Sequence, residues 1–297
     1  MAVHGRLYRR EALWAYVFLS PFLAGVCLFY VYAFINNFSL SFTDKRTFGA
    51  PHFTGLANYI KLLGDPRFRS SLLNTLKYVA ICVPAVIIIS VLIACLLNNK
   101  MKHTSLYRTL IFIPAVTMPA AIGLVWRWMM NYEFGLINAL LGFFSIEPLA
   151  WLSDPRISIF AVSLVLIWAD ISTKMVILLA GLQGIPRVYY EAATIDGAGT
   201  AARFFSVTLP MLSPTIFFCL IMEIIGVFQI FDFIYLMIPQ LSSGMTGARS
   251  VIWLFYNEAF TRSNTGYASA VSIILFFIIL AVTIVQMKTR QHWVYEE

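Results

Sequence analysis

Ionisable and amide side chains interrupt two long apolar stretches of the chain, where they could bind a polar molecule or guide it through a nonpolar medium. Asp170 and Lys174 lie near the middle of the stretch 157–182, and Glu223 lies near the middle of the stretch 211–238. A charged side chain at the centre of a bilayer costs about 2.5–3.5 kcal/mol on insertion scales, so it usually faces a bundle interior or a cavity. These positions predict a polar path whose candidates are Asp170, Lys174, Glu223, Phe228 and Gln229.

A purely structural role is the alternative for each of these residues. Asp170 and Lys174 are four residues apart, so on a helix they share one face and could form an ion pair that only fixes helix packing. Glu223 has no partner at helical spacing, which favours a cavity role for it. Asp232 lies nearer the outer end of its stretch and is expected to reach the interface or to pair with a loop. Phe228 is the favoured aromatic face, because most other aromatic residues here are typical of lipid contacts.

The composition excludes an ordinary soluble domain. Of the 297 residues 60% are hydrophobic and 12% are charged, whereas soluble domains average about 45–50% hydrophobic and about 25% charged residues. The mean hydropathy is +0.80. The net charge of +7 therefore indicates membrane-facing loops rather than nucleic-acid binding. The histidines are scattered and no CxxC pair occurs, so no metal site is predicted. The cysteines are expected to be small buried hydrophobes; they are Cys27, Cys82, Cys95 and Cys219.

Six apolar stretches are long enough to cross a bilayer, which requires about 20 residues each. Pro84 lies inside the second stretch, and Pro114 and Pro119 interrupt the third, so kinks are expected there. The first stretch has too long an apolar core for a signal peptide and is interpreted as an uncleaved helix. The predicted fold is an all-α integral membrane protein, with residues 1–297 as a single domain. Its spans are about 12–34, 72–97, 106–130, 157–182, 211–238 and 267–287.

Basic residues indicate the orientation of these spans. With the N-terminus inside, the inner segments carry ten basic residues and the longer outer segments carry eight, so the basic density is higher inside. This distribution predicts a multi-pass membrane protein with both termini in the cytoplasm. It also places the polar segment 184–210 on the cytoplasmic side.

The segment 184–210 is polar and rich in small residues, although it lies between two apolar spans. Pro186 has the fixed φ that suits the start of a helix. Apolar residues then recur at helical spacing within 185–195. Asp196-Gly197 is a stop signal, because glycine accepts the left-handed conformation that closes a helix.

A second short helix is expected after this turn. Thr200 could cap it, and Pro210 is expected to limit its continuation. The segment therefore predicts a helix–turn–helix with Glu191 exposed near its bend, and such an element suits docking onto another protein.

The sequence of this segment resembles that of a known protein family. Glu-Ala-Ala at 191–193, Gly197 six positions after Glu191, and Val-Thr-Leu-Pro ending at Pro210 resemble the EAA loop of binding-protein-dependent ABC importer permeases. Four longer segments resemble the maltose-permease-like first subunit of the carbohydrate branch of this family. They are IPRVYYEAATIDGAG, VTLPMLSP, FTGLANYIKLLGDPRFRSSLLNTLKY and FQIFDFIYLM. The resemblance implies ATPase-coupling roles for Glu191, Ala192, Ala193, Asp196, Gly197, Leu209 and Pro210.

The resemblance also implies a fold, partners and a function. The fold would be the six-helix type I importer permease, also called MetI-like, and the chain would be a transport subunit with no catalytic residue. Its partners would be a second six-span permease, a dimeric ABC ATPase that binds ATP and magnesium, and an extracellular solute-binding protein. The substrate would be a carbohydrate, namely an oligosaccharide or a glycoside. The chain has no GxxxxGK[ST] run for a nucleotide of its own.

Three alternatives remain open at this point. An ion-coupled secondary transporter could use Asp170 and Glu223 as proton carriers, but it gives no reason for the EAA loop. An intramembrane enzyme is remote, because the sequence holds neither an HExxH motif nor a convincing nucleophile pair. Within the importer reading, a phosphorylated substrate such as glycerol phosphate would be tolerated by the basic residues at the outer end.

Overall fold

The computed structural model describes residues 2–46, 49–98 and 102–295. Within these ranges the chain is helical and forms no β-strand, only one isolated β-bridge between Thr43 and Phe53. Short π-helical turns occur at Cys27–Val31, Phe204–Thr208 and Asn257–Thr261, and a 3-10 turn at Arg290–His292. The α-helices are α1 Ala2–Val26, α2 Tyr32–Leu40, α3 Ala57–Gly64, α4 Pro66–Asn98, α5 Thr104–Val116, α6 Pro119–Met129, α7 Leu136–Phe143, α8 Ser158–Gly184, α9 Arg187–Ile195, α10 Thr200–Arg203, α11 Leu209–Phe228, α12 Asp232–Met237, α13 Gly244–Ala248, α14 Val251–Tyr256 and α15 Thr265–Thr289.

Five continuous helices in the described part of the chain are long and apolar enough to cross a membrane, and a bent pair raises the number to six. The pair consists of α5 and α6, whose axes differ by 98°. The all-helical membrane fold is therefore confirmed. The five continuous helices are Trp14–Leu40, Pro66–Asn98, Ser158–Gly184, Thr200–Phe228 and Thr265–Thr289.

Two predicted spans differ from the observed helices. The span expected at 106–130 is broken at Thr117 and Met118, because Pro114 and Pro119 each remove a backbone donor on either side of the break. The span expected at 211–238 ends at Phe228. After it, α12 begins with Asp232, whose carboxylate suits the positive end of a helix dipole. Pro84, by contrast, lies within the unbroken α4.

The chain divides into two compact units, and the first comprises Met1–Gly64 and Phe255–Ile274. In this unit Asn37 donates a hydrogen bond of 2.8 Å to the hydroxyl of Ser272, and the backbone amide of Gly266 donates one of 2.8 Å to the carbonyl of Lys45. None of the most apolar 18 residues of Trp14–Leu40 is buried. Lipid is as apolar as these side chains, so their exposure costs little in a bilayer.

The second unit comprises Asp65–Leu254 and Leu275–Glu297. Its centre is the packing of α4 along α8, with α11 lying against both helices and α5 against α8. Tyr78 of α4 is fully buried there, and its hydroxyl donates a hydrogen bond of 2.9 Å to the carbonyl of Ala248. This core fixes the two helices, α8 and α11, that carry the predicted polar path.

Gly181 lets α8 and α11 approach each other closely. A Cβ atom at this position would lie 2.6 Å from Oγ1 of Thr215 and 3.0 Å from Cδ1 of Leu212. Small residues at such contacts are what permits close helix packing in membranes. Gly184, at the end of the same helix, has no heavy atom within 4 Å of its Cβ position. The two glycines therefore form a matched pair for testing this contact.

We expect Gly181→Leu to destabilise the protein and Gly184→Leu to leave its stability unchanged. Overpacking of a closed contact costs about 1–3 kcal/mol, which corresponds to a melting temperature lower by roughly 5 °C in a domain of this size. The measurement is thermal unfolding of each detergent-purified variant followed by size-exclusion chromatography. Equal melting temperatures for the two variants would show that the contact is not as tight as the structure has it.

Candidate functional site

A cavity of about 360 Å³ lies in the second unit beside the break between α5 and α6. Its walls come from both sides of this break, from the middle of α8, and from the segment that follows α11. Two of the walls are therefore the two stretches that carry the predicted polar path. Its polar and aromatic lining consists of Thr117, Asp170, Thr173, Gln229, Phe231 and Asp232.

The break itself requires surroundings of protein or water rather than lipid. Non-helical backbone at membrane depth leaves peptide groups without intrahelical partners, and it is tolerated only where it is buried in protein or lines a water-filled space. Thr117 and Met118 have extended conformations, with ψ of 135° and 129°. Broken helices of this kind are a recurring feature of substrate sites in transporters.

Two of the five predicted path residues line the cavity and three do not. Asp170 and Gln229 contribute to its walls. Lys174 and Glu223 instead form an ion pair with 2.6 Å between Nζ and Oε2, and their side chains are 11% and 1% exposed. The ion pair that helical spacing allowed between Asp170 and Lys174 was one of two alternatives; the close contact of Lys174 is instead with a carboxylate on the neighbouring helix α11.

Glu223 is also not the free cavity residue that was predicted. Its partner lies on α8 while it lies on α11, and spacing along one helix carries no information about such a contact. Because Glu223 is paired with Lys174, its carboxylate is not a free proton carrier. This pairing weakens the hypothesis of an ion-coupled transporter. The Oε1 atom of Glu223 is buried without a hydrogen-bond partner, so the pair is held by a single short contact.

Phe228 is 1% exposed and packs in the interior rather than in the cavity wall. The helix ends at this residue, so the following side chains point in directions that a continued helix would not give them. Phe231 lines the cavity instead and stacks on Tyr235, with ring centroids 5.2 Å apart and planes at 26°. An apolar ring beside polar groups is a surface that suits a polyol.

Asp232, Thr117 and Thr173 are cavity residues that did not emerge as candidates from the sequence. Asp232 was expected to reach the interface, but the break after Phe228 turns it into the cavity wall. Thr173 lies three residues from Asp170 on α8, so helical spacing from that carboxylate could have found it. Thr117 carried no signal beyond its position between two prolines.

The segment 184–210 forms the predicted helix–turn–helix. The first helix is α9, and it closes at Gly197, whose φ is +77°. The amide of Gly197 donates to the carbonyl of Thr194, and the amide of Ala198 donates to the carbonyl of Ala193, at 3.1 and 2.9 Å. These two hydrogen bonds form a Schellman motif, which ends a helix. The prediction that the helix ends at Asp196-Gly197 is therefore confirmed.

The second helix of this segment differs from the prediction. Gly199 precedes its first turn, and Thr200 is its first helical residue rather than a side-chain cap. Pro210 does not limit it, because one continuous helix runs from Thr200 to Phe228. A π-helical turn at Phe204–Thr208 precedes Leu209 and Pro210, and it changes the backbone register where the proline lacks a donor.

Internal hydrogen bonds hold the two helices of this segment together. The hydroxyls of Tyr190 and Thr208 lie 3.1 Å apart. Arg203 donates a hydrogen bond of 3.3 Å to the hydroxyl of Thr194, which itself donates to the carbonyl of Tyr190. The segment is thus a folded element and not a loose connection.

The outer face of α9 carries exposed apolar side chains beside Glu191. Ile195 is 86% exposed and Val188 62% exposed, whereas Ile185 is buried. Glu191 is exposed too, and it shares a shallow surface hollow with Arg187 and Ile195. A short helix between two spans that presents such a face has the character of a docking surface.

The described residues contain no group of three or more His, Cys, Asp or Glu side chains that could hold a metal ion. All four cysteines are free thiols, with Cys82 and Cys219 buried and Cys27 exposed.

Five continuous candidate spans, a broken span beside a polar cavity and a helix–turn–helix between two spans are the architecture of a membrane transport subunit. The chain belongs to the family of binding-protein-dependent transport system inner membrane components, which it matches over residues 56–288.

Individual relatives cover nearly the whole chain. It is 33% identical over 284 residues to the trehalose/maltose transport system permease protein MalF of Thermococcus litoralis, covering 95% of each chain. It is 33% identical over 275 residues to the arabinooligosaccharides transport system permease protein AraP of Bacillus subtilis, covering 92% of this chain and 87% of the relative. The fold is similar to a chain of the bacterial alginate ABC transporter in complex with alginate pentasaccharide-bound periplasmic protein, with a TM-score of 0.87 at 17% identity over 97% of this chain and 96% of the other.

Proposed function

We propose that this chain is the membrane-spanning permease subunit of an ATP-driven importer that translocates a carbohydrate, an oligosaccharide or glycoside, delivered by an extracellular solute-binding protein. The observation that carries the proposal is the continuous helix Thr200–Phe228. It begins in the cytoplasmic helix–turn–helix and ends beside the cavity, so it joins a docking element directly to a polar site within the span.

In this proposal the cavity beside the helix break is the substrate path. Asp170, Gln229 and Asp232 accept or donate hydrogen bonds to hydroxyl groups, and Phe231 offers a stacking face. Lys174 and Glu223 support the path by joining α8 to α11. Phe228 is buried in the interior at the end of α11. The substrate class follows from the relatives, whose names refer to maltose, trehalose and arabinooligosaccharides.

The cytoplasmic element is proposed as the contact with the ATPase. Glu191 supplies a charge for a basic groove, Ala192 and Ala193 permit close approach, and Asp196 with Gly197 forms the bend. Leu209 and Pro210 lie on the helix that leads from this element to the cavity.

The remaining partners complete the assembly. We propose a second six-span permease as heterodimer partner and a dimeric ABC ATPase that binds ATP and magnesium. The permease subunit itself binds neither ATP nor magnesium. Its residues 1–297 act as a single domain. Both termini would lie in the cytoplasm of a bacterial cell, on the same side as the ATPase. Delivery by a binding protein is supported by the alginate transporter, whose solved complex contains a periplasmic protein.

The test is purification of this chain in mild detergent from its native membrane, followed by reconstitution of what remains bound. We expect an ABC ATPase and a second permease to copurify. With the cognate binding protein added, proteoliposomes should accumulate a labelled oligosaccharide only when ATP is present. Recovery of a folded chain alone, with sugar uptake driven by a proton gradient, would contradict the proposal.

A further inference from the structure

We infer that the cavity beside the helix break selects substrates by charge: it favours neutral or amino-bearing saccharides over uronates, sulfonates and phosphates, with Asp170 and Asp232 as the specificity-determining residues. The inference rests on the proposed function and deepens it by naming the charge class of the substrate. It also decides against the phosphorylated substrate that the sequence left open.

The charges on the cavity wall have one sign. Asp170 enters the wall from α8, and Asp232 enters it from the start of α12. The other polar lining groups, Thr117, Thr173 and Gln229, are uncharged, and none of the lining residues is a lysine, arginine or histidine. Two carboxylates on separate segments therefore face one space without a lining cation.

Two basic side chains on the neighbouring helices have partners of their own. Lys174 follows Asp170 by one turn and its charge acts on Asp170, but its contact of 2.6 Å is with Glu223. Asp170 also interacts with Glu223, so these three side chains form one group of two carboxylates and a single ammonium. With Asp232 added, the carboxylates at and beside the cavity outnumber this ammonium by three to one. Arg127 donates a hydrogen bond of 3.4 Å to the carbonyl of Leu236 and lines a separate cavity of about 310 Å³ together with Glu133.

A carboxylate in this setting recognises donors and repels anions. Ionised carboxylates only accept hydrogen bonds, and sugar hydroxyls or ammonium groups donate them. Walls of low dielectric strengthen the potential of a cleft lined with one sign of charge. At an effective dielectric constant of about 20, an anion about 6 Å from one carboxylate is disfavoured by at least tenfold in occupancy.

The charge of the cavity can be measured without knowing the sugar. We would place a single thiol in the cavity wall by Thr173→Cys, in a chain whose four native cysteines are replaced by serine. The assembled transporter is then treated with methanethiosulfonates that carry a trimethylammonium or a sulfonate group. The thiolate forms a mixed disulfide and methanesulfinate leaves, so the rate of labelling reports the local concentration of each reagent. Leu241→Cys, at a fully exposed turn, is the matched control position.

We expect the cation-to-anion ratio of labelling rates at Thr173→Cys to exceed that at Leu241→Cys by about tenfold or more. The double change Asp170→Asn and Asp232→Asn should bring the ratio close to the control value, and each single change should lower it in part. Because asparagine keeps the shape of aspartate, an unaltered elution profile will show that the fold is retained. Equal ratios at the two positions, or a ratio unaffected by the asparagine variants, would overturn the inference.

A transport measurement separates the inference from the function it rests on. In proteoliposomes, uptake of a neutral oligosaccharide should exceed uptake of its uronate counterpart. Equal or faster ATP-driven uptake of the uronate would overturn the charge selection and leave the importer function intact. A complete lack of ATP-driven uptake would instead contradict the proposed function, whatever the labelling ratio.

Discussion

In the variant Glu191→Lys, the rate of ATP-driven uptake is expected to fall by at least tenfold, while the chain still folds and inserts into the membrane. Glu191 is exposed on α9, so the change removes no buried contact. A hydrogen bond to a charged group contributes about 1.5–3 kcal/mol, and each 1.4 kcal/mol corresponds to about tenfold in binding. Reversal of the charge also adds repulsion from the basic groove proposed on the ATPase. The measurement is uptake together with the amount of ATPase that copurifies.

The matched control is Glu147→Lys, which makes the same charge change at an exposed position in the loop between α7 and α8. It should leave uptake and ATPase retention unchanged. A second variant, Ile195→Ser, should weaken ATPase retention without any charge change, because this side chain is 86% exposed on the proposed docking face. Normal retention and uptake in Glu191→Lys would exclude α9 as the coupling contact.

The second large effect is expected in Lys174→Met, which should lower the melting temperature of the purified protein by roughly 10 °C. Removal of one partner from a buried ion pair costs about 3–5 kcal/mol, because the remaining charge has lost its counterion. Glu223 is 1% exposed and its Oε1 atom already lacks a hydrogen-bond partner. Thermal unfolding in detergent is the measurement.

Two further variants test whether the loss of stability comes from the unpaired charge. The double change Lys174→Met and Glu223→Met should restore most of the lost stability, since buried ion pairs can be replaced by apolar side chains at little cost. Lys77→Met, at an exposed position of α4, should have no effect. If the double variant melted as low as the single one, the loss would come from packing around Lys174 and not from its charge.

The sequence predicted those features that depend on local chemistry. Gly197 was identified as a helix stop because a left-handed residue is needed there, and its φ is +77°. Pro114 and Pro119 were expected to bend the third span, and the axes of α5 and α6 differ by 98°. Asp170 and Gln229 were predicted as path residues from their depth in apolar stretches, and both line one cavity.

The features that it did not predict depend on contacts between helices. Helical spacing relates residues of one helix, so it paired Lys174 with Asp170 and left Glu223 without a partner, whereas the contact joins α8 and α11. The choice of Phe228 over Phe231 failed because the helix ends between them, which changes the direction of each side chain. Pro210 was read as a limit because a π-helical turn just before a proline has no simple sequence signal.

The unbroken helix Thr200–Phe228 has a mechanical consequence. Its 29 residues span about 43 Å at a rise of about 1.5 Å per residue. A tilt of about 10° about its N-terminal end would displace the other end by roughly 7 Å. The far end lies next to Gln229 and Phe231 in the cavity wall. A modest swing imposed at Thr200 would therefore change the shape of the cavity, and the π-helical turn at Phe204–Thr208 lies close to that pivot.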